Sequence, residues 1–328
     1  MFNKDLKLDE NCLNEHAVKT ATRDGYGKAI MELGETNPDV VVLNADLGES
    51  CKVDKFVEKY PQRSIECGVA EQNMAAIAAG LAVSGKIPFI NSFAVFSPGK
   101  NYETLRTTTA YNNANVKIAG HHSGIVTGPD GATHQATEDI AITRVWPGVN
   151  VFVPCDAIEA KKATLESTKI NGPVYLRFSR EKTPVVTTEE TPFDPKETQV
   201  FWTSENPKAV IFATGHMVYQ ALLAASKLEK EEIEVLVANV AIIKPLDEKT
   251  IVELAKKTGA VITCEDHQVN GGMGSAIAEV LSKNLPTKMA FIGLQDTFGE
   301  SGNAADLLKK YEMDDSSIVK AVKKLISK

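Results

Sequence analysis

The sequence predicts an α/β protein of two domains, each a largely parallel sheet flanked by helices. Continuous apolar runs such as Val40-Val41-Val42-Leu43 and Ala209-Val210-Ile211-Phe212-Ala213 read as strands buried on both faces. They alternate with segments of helical spacing, which is the β-α order of a parallel sheet. The chain of 328 residues exceeds one ordinary core, and a weakly periodic, proline-bearing stretch divides it. The expected units are a short arm at 1–17, a first domain at 18–185, a linker at 186–206 and a second domain at 207–328.

In the first domain, Tyr26, Ala29, Ile30 and Leu33 have helical spacing that stops at Gly34 and Pro38, with Arg23 at the opening of the helix. The strand Val40 to Leu43 ends in Asn44-Ala45-Asp46-Leu47-Gly48-Glu49-Ser50. Polar groups at the carboxyl end of such a strand are where open α/β sheets bind ligands. Glu66-Cys67-Gly68-Val69-Ala70-Glu71-Gln72-Asn73-Met74 then runs into an alanine-rich helix. Glu71 stands at its mouth, where a carboxylate either complements the helix dipole or does chemistry; the local pattern leaves both readings open.

Ile87 to Phe96 reads as the next strand, with Phe93 and Phe96 as core residues or as an apolar slot for a flat ring. Ser97-Pro98-Gly99-Lys100 resembles the tail of a phosphate loop, but Ala94 and Asn101 stand where that motif needs Gly and Ser or Thr. A helix from Tyr102 to Tyr111 and a strand at Val116 to Ala119 follow. They lead to Gly120-His121-His122-Ser123-Gly124 and Gly128-Pro129-Asp130-Gly131-Ala132-Thr133-His134-Gln135. Histidines clustered in a glycine-rich loop suit polar recognition and proton transfer near neutral pH. A metal held by His122, Asp130 and His134 is conceivable, yet their spacing fits no closed zinc pattern. Helix Thr137 to Arg144, strand Val149 to Val153, helix Asp156 to Thr168 and strand Pro173 to Phe178 complete the domain, with Arg180 just beyond the last strand.

The second domain reads as strands at Ala209 to Gly215, Glu234 to Asn239 and Ala260 to Cys264, interleaved with helices and closed by a basic amphipathic helix from Ser317. Glu265 to Asn270 reads as a polar loop, and Gly271-Gly272-Met273-Gly274-Ser275 as a helix cap and packing device rather than a dinucleotide site.

Hydrophobic residues are 43% of the chain and charged residues 24%, and the net charge of -7 disfavours broad attraction to nucleic acid or an anionic membrane. Any phosphate must be held by a local group of cations. No long apolar run or signal-peptide core is present, so the expected location is cytoplasmic. Cys12, Cys51, Cys67, Cys155 and Cys264 are odd in number and form no C-x-x-C pair, and they read as reduced, buried thiols.

Five motifs in order, Ala45-Asp46-Leu47, Gly68-Val69-Ala70-Glu71-Gln72, Phe93-Ala94-Val95-Phe96, Gly128 to Gln135 and Ser179-Arg180, resemble the C-terminal half of the transketolase family of thiamine diphosphate enzymes. The resemblance covers roughly residues 18 to 315. It implies a thiamine diphosphate pyrimidine-binding domain followed by a transketolase C-terminal domain. Position by position, it makes Glu71 the glutamate that bonds N1′ of the cofactor's aminopyrimidine, in an apolar slot expected to raise its pKa. Phe93 and Phe96 would pack on that ring, and Asp46 and Leu47 would line the cofactor pocket. Arg23, Ser50, His122 and Arg180 match positions that hold the sugar phosphate, while Asp130 and His134 match positions that contact the substrate's hydroxyls near the reacting carbons. His122 and His134 join Glu71 as the implied catalytic residues.

One departure has consequences. The family's Gly-Asp-Gly motif with its downstream Asn, which binds magnesium and the diphosphate, is found nowhere in this sequence, and Gly99 stands where some members have a third aromatic. The resemblance is therefore to the C-terminal subunit of a split transketolase. The implied partner is an N-terminal subunit that supplies the Mg2+ (or Ca2+) and diphosphate contacts in an α2β2 assembly, with sugar phosphates as substrates. The expected reaction moves a two-carbon ketol unit from a ketose phosphate to an aldose phosphate, as in the pentose phosphate pathway. The rivals are a deoxyxylulose-phosphate synthase, a 2-oxo acid dehydrogenase β chain, and a non-catalytic regulatory subunit of the same fold. His122 favours transketolase over the synthase, and Thr133-His134-Gln135 disfavours the dehydrogenase chain.

Overall fold

The computed structural model describes residues 1–327. In the first domain the strands are β1 (Lys19–Ala21), β2 (Val40–Asn44), β3 (Ser64–Glu66), β4 (Ile87–Phe93), β5 (Lys117–His121), β6 (Asn150–Phe152), β7 (Val174–Arg177) and β8 (Lys182–Pro184). The second supplies β9 (Gln199–Trp202), β10 (Ala209–Ala213), β11 (Val235–Asn239), β12 (Ile242–Lys244), β13 (Ala260–Gln268) and β14 (Lys288–Leu294). The larger sheet has the order β12-β6-β7-β5-β4-β2-β3, parallel except for β12. The smaller sheet has the order β14-β13-β10-β11-β9, parallel except for β9. Strands β2, β5, β7 and β10 are buried along their whole length, which is why β10 and β2 up to Leu43 read as unbroken apolar runs rather than alternating ones.

The two domains share a core. One apolar cluster joins Leu43, Met74, Ile90 and Ile118 of the first domain to Phe212, Leu236, Met273 and Ile277 of the second. β12 strengthens the union, because a strand from the second half of the chain pairs antiparallel with β6 and becomes an edge of the first domain's sheet.

Several expectations need correction. The stretch at 186–206 is not all linker, since it contains β9, which pairs with β11. The arm at 1–17 is packed down: Phe2 bridges to Trp202, Asn3 N–H donates to the Phe201 carbonyl at 2.9 Å, and Cys12 is buried. A few apolar anchors fix it, too sparse to set a period. Glu265 to Gln268 is strand rather than loop, and Glu265, Asp266 and His267 are buried there with polar partners. The strand expected to reach Phe96 ends at Phe93, and Phe96 lies in an irregular helical segment, Val95–Lys100, that contains Pro98. The cysteines are free, four of them buried and Cys67 half-buried. Among the described residues, no helix is long and apolar enough to cross a membrane.

Candidate active site

The carboxyl ends of β2, β4, β5 and β7 open on one edge of the larger sheet. Arg23 enters from the first turn of the helix Thr22–Thr36. Its Nη1 donates to the Ser50 carbonyl at 3.0 Å and lies 3.3 Å from His122 Nε2, while its buried Nε has no partner among the described residues. Arg180, just past β7, donates to the Thr127 carbonyl at 3.3 Å, and its charge reaches both Arg23 and His122. Arg23, Ser50, His122 and Arg180, separated by up to 157 positions in sequence, thus form one cluster.

His122 is strained and buried. Its backbone is left-handed at φ 54°, and the Thr127 hydroxyl holds its carbonyl at 2.6 Å. Burial first, then the charges of Arg23 and Arg180, push its imidazole down to about 3, so the ring is neutral at physiological pH. A neutral ring that accepts from Arg23 at Nε2 carries its proton on Nδ1, a buried atom without a partner among the described residues. The site therefore presents arginine donors and one unused imidazole N–H, a set suited to a phosphoryl group.

Phe93 joins this cluster to the aromatic slot. Its ring stacks on His122 with centroids 3.8 Å apart and lies nearly parallel to Phe96 at 6.0 Å and 13°. His134 meets both phenyl rings edge-on, at 6.1 and 5.5 Å, and its Nδ1 is 2.9 Å from the Thr133 hydroxyl. His121 does not belong to the polar cluster that the sequence suggested. It is fully buried between Tyr26 and Phe178, neither ring nitrogen has a partner among the described residues, and burial holds it well below the usual imidazole range.

Glu71 is the first residue of the helix Glu71–Val83, with a side chain only 2% exposed. Ala70 offers no side-chain cap, so the carboxylate meets the positive end of the helix. Lys100 Nζ donates to Glu71 Oε2 at 2.7 Å, so a cation stands beside the carboxylate for which the resemblance implies an apolar slot. Asn101 Nδ2 also reaches the Glu71 carbonyl at 3.2 Å, tying the helix mouth to the segment that carries Phe96. Sequence reasoning missed Lys100, whose only local signal was a rejected phosphate-loop motif.

Asp46 is exposed, with a left-handed φ of 60°, and Leu47 is half-buried beside it. Their loop is held by Glu66, a second residue that sequence reasoning passed over. Its Oε1 accepts from Asp46 N at 2.9 Å and from Gly68 N at 2.7 Å, so one carboxylate joins the loop after β2 to the turn before Glu71. Asp130 is exposed at the end of the 3-10 turn Ile125–Asp130, in the loop that carries His122 and His134.

A largely parallel sheet with two arginines and two imidazoles gathered beyond its strand ends, beside an aromatic pair and a buried carboxylate, has the architecture of an α/β enzyme. Residues 18–186 match the family described as transketolase, pyrimidine binding domain, and residues 199–318 match the transketolase C-terminal domain. The chain belongs to the transketolase family, a family of transferases. It is similar to a solved structure titled "Split gene transketolase, inactive beta4 tetramer", with 44% identity and a TM-score of 0.87 over 94% of this chain and 98% of that one. It is 37% identical to a 6-deoxy-6-sulfo-D-fructose transketolase subunit of Clostridium sp. (strain MSTE9), over 97% of this chain and 95% of the relative. It is also 33% identical to a transketolase of Rattus norvegicus, matching 94% of this chain but 50% of the longer protein.

Proposed function

We propose that this chain is the C-terminal subunit of a thiamine diphosphate-dependent transketolase and works with a separate N-terminal subunit. The observation that carries the proposal is the buried Glu71 carboxylate at a helix mouth, tied through Lys100 to the segment bearing Phe96 of a nearly parallel phenyl pair. These residues fit a thiamine pyrimidine: among the described residues only Oε2 of Glu71 is engaged, by Lys100, which leaves Oε1 for a ring nitrogen. When bound, thiamine diphosphate supplies the electron sink that lets a carbon–carbon bond beside a ketone break.

The chain's own residues do the rest. Glu71 would hold the ring and the proton at its N1′ position, and Phe93 and Phe96 would pack on the ring and exclude water. Asp46 and Leu47 line the approach to that pocket. Arg23, the Ser50 turn, His122 and Arg180 hold the sugar phosphate, with the His122 Nδ1–H, which has no partner among the described residues, as a ready donor. Asp130 and His134 orient the sugar's hydroxyls and relay protons at the oxygens whose charge changes. The chain has no Gly-Asp-Gly sequence, so the diphosphate and its Mg2+ (or Ca2+) are assigned to the N-terminal subunit of an α2β2 complex. The split-gene likeness and the half-length match to the rat enzyme support that division.

The test is reconstitution. The chain, the N-terminal subunit, and the two mixed are each supplied with thiamine diphosphate and magnesium, and ketol transfer from xylulose 5-phosphate to ribose 5-phosphate is followed. Transfer by the mixture alone is expected. Pyruvate-dependent formation of a deoxyketose phosphate would support the synthase instead, and no turnover with any ketose phosphate would support a regulatory subunit.

A further inference from the structure

The loop that carries His122, Asp130 and His134 is rich in glycine, with Gly124, Gly128 and Gly131 all at positive φ. Such a sequence does not hold its own shape. Besides bonds within the first domain, such as Gly124 N–H to the Ala136 carbonyl at 2.7 Å, it is held by residues of the second domain. Ile125 N–H donates to Asp266 Oδ1 at 2.9 Å, and Val126 N–H reaches Oδ2 at 3.4 Å. His216 Nε2 lies 3.0 Å from the same Oδ2. Arg177 of β7 donates to the Asp266 carbonyl at 2.8 Å and pairs with Asp139, anchoring the acid to the first domain's core. Further along, Gln135 Nε2 donates to the Glu300 carbonyl at 2.9 Å, and Gln268 N–H donates to the Thr137 carbonyl at 2.8 Å.

Asp266 is 1% exposed. Burial alone would raise its proton affinity, but His216, Arg177 and the Ile125 N–H outweigh that and hold the carboxyl below its usual range. The carboxylate is therefore a fixed anion placed against two backbone donors. Space on the loop side is equally specific, because a Cβ built on Gly124 would lie 1.9 Å from Asp266 Oδ2. Gly124 is thus needed for the close approach as well as for its φ of 78°.

We propose that Asp266, backed by His216, is a positioning residue for substrate binding, and that the second domain contributes to the reaction by clamping the His122–His134 loop through it. Asp266 acts through the loop's backbone and sets where His122 and Asp130 stand. The proposal rests on the transketolase reading only in taking that loop as the substrate-contacting one.

The experiment combines hydrogen exchange with steady-state kinetics on the reconstituted two-subunit enzyme. In the wild type, the amides of Ile125 and Val126 should exchange slowly despite their glycine-rich surroundings. Asp266→Asn keeps the shape but turns a donor toward those amides. It should speed exchange selectively across 122–136 and raise KM for the sugar phosphate by about tenfold or more, with affinity for thiamine diphosphate unchanged. Gly124→Ala leaves the carboxylate in place but pushes the loop off it, so it should give the same pattern even if Asp266→Asn fails to fold. Fast exchange of the two amides in the wild type would overturn the proposal. So would a variant that exchanges faster equally in every segment, or one whose KM stays within twofold of wild type. If the wild-type complex shows no ketol transfer, the functional reading fails while the exchange data still decide the clamp.

Discussion

At the scale of single residues, the candidate site is a set of charges held by burial. Glu71 is buried and Lys100 is its counter-ion, with a lysine side chain still 43% exposed. Lys100→Met should leave a buried carboxylate without its partner, lowering stability by about 1–2 kcal/mol after allowance for the exposed lysine, as read by urea unfolding. An unchanged unfolding midpoint would show that the pair contributes nothing. His122 gives a pH signature. Its folded-state pKa is down at about 3 against an ordinary 6.5, so between those values the unfolded chain binds more protons than the folded one. Stability should therefore fall as pH drops through that window, and His122→Gln should flatten that fall in unfolding curves taken inside and above it. The residues legible in the sequence were those in local motifs, such as Glu71, Phe93, His122 and His134. Lys100 and Asp266 were not, because each acquires its role from a partner 29 or 141 positions away, and no local pattern encodes that pairing.

At the scale of elements, helix and strand order followed from periodicity, while edges did not. β12 and β9 are short strands at sheet edges, and β9 sits in a stretch whose prolines and threonines read as linker. Pairing, not composition, makes them strands. The polar end of β13 reads as a loop for a related reason, since Glu265 and Asp266 are buried against backbone donors and Arg177, and His267 between the Ala141 N–H and the Gln268 carbonyl. The first helix shows how an element places a site residue. Thr22–Thr36 packs closely on Ala157–Ser167 at Gly25, where a built Cβ would lie 1.9 Å from the Ala157 carbonyl oxygen. Gly25→Ala should push the helices apart at a cost of about 1–3 kcal/mol and displace Arg23, two positions earlier. Melting of the variant should drop and KM for the sugar phosphate should rise together; a fall in melting temperature with KM unchanged would separate the helix contact from the anion cluster.

At the scale of the whole molecule, the two domains predicted from the sequence are real as sheets but not as independent cores. Apolar residues of both pack into one cluster, β12 completes the first sheet from the second half of the chain, and Asp266 reaches back to the substrate loop. Calorimetry should accordingly record one cooperative transition, and two resolved transitions would contradict the shared core. The central claim is that this chain brings the catalytic carboxylate to a site that a second subunit completes. It is tested most directly by Glu71→Gln in the reconstituted complex, with assembly checked by size. Ketol transfer should fall by about 100-fold or more while the complex remains intact. Activity within a few-fold of wild type would contradict the claim.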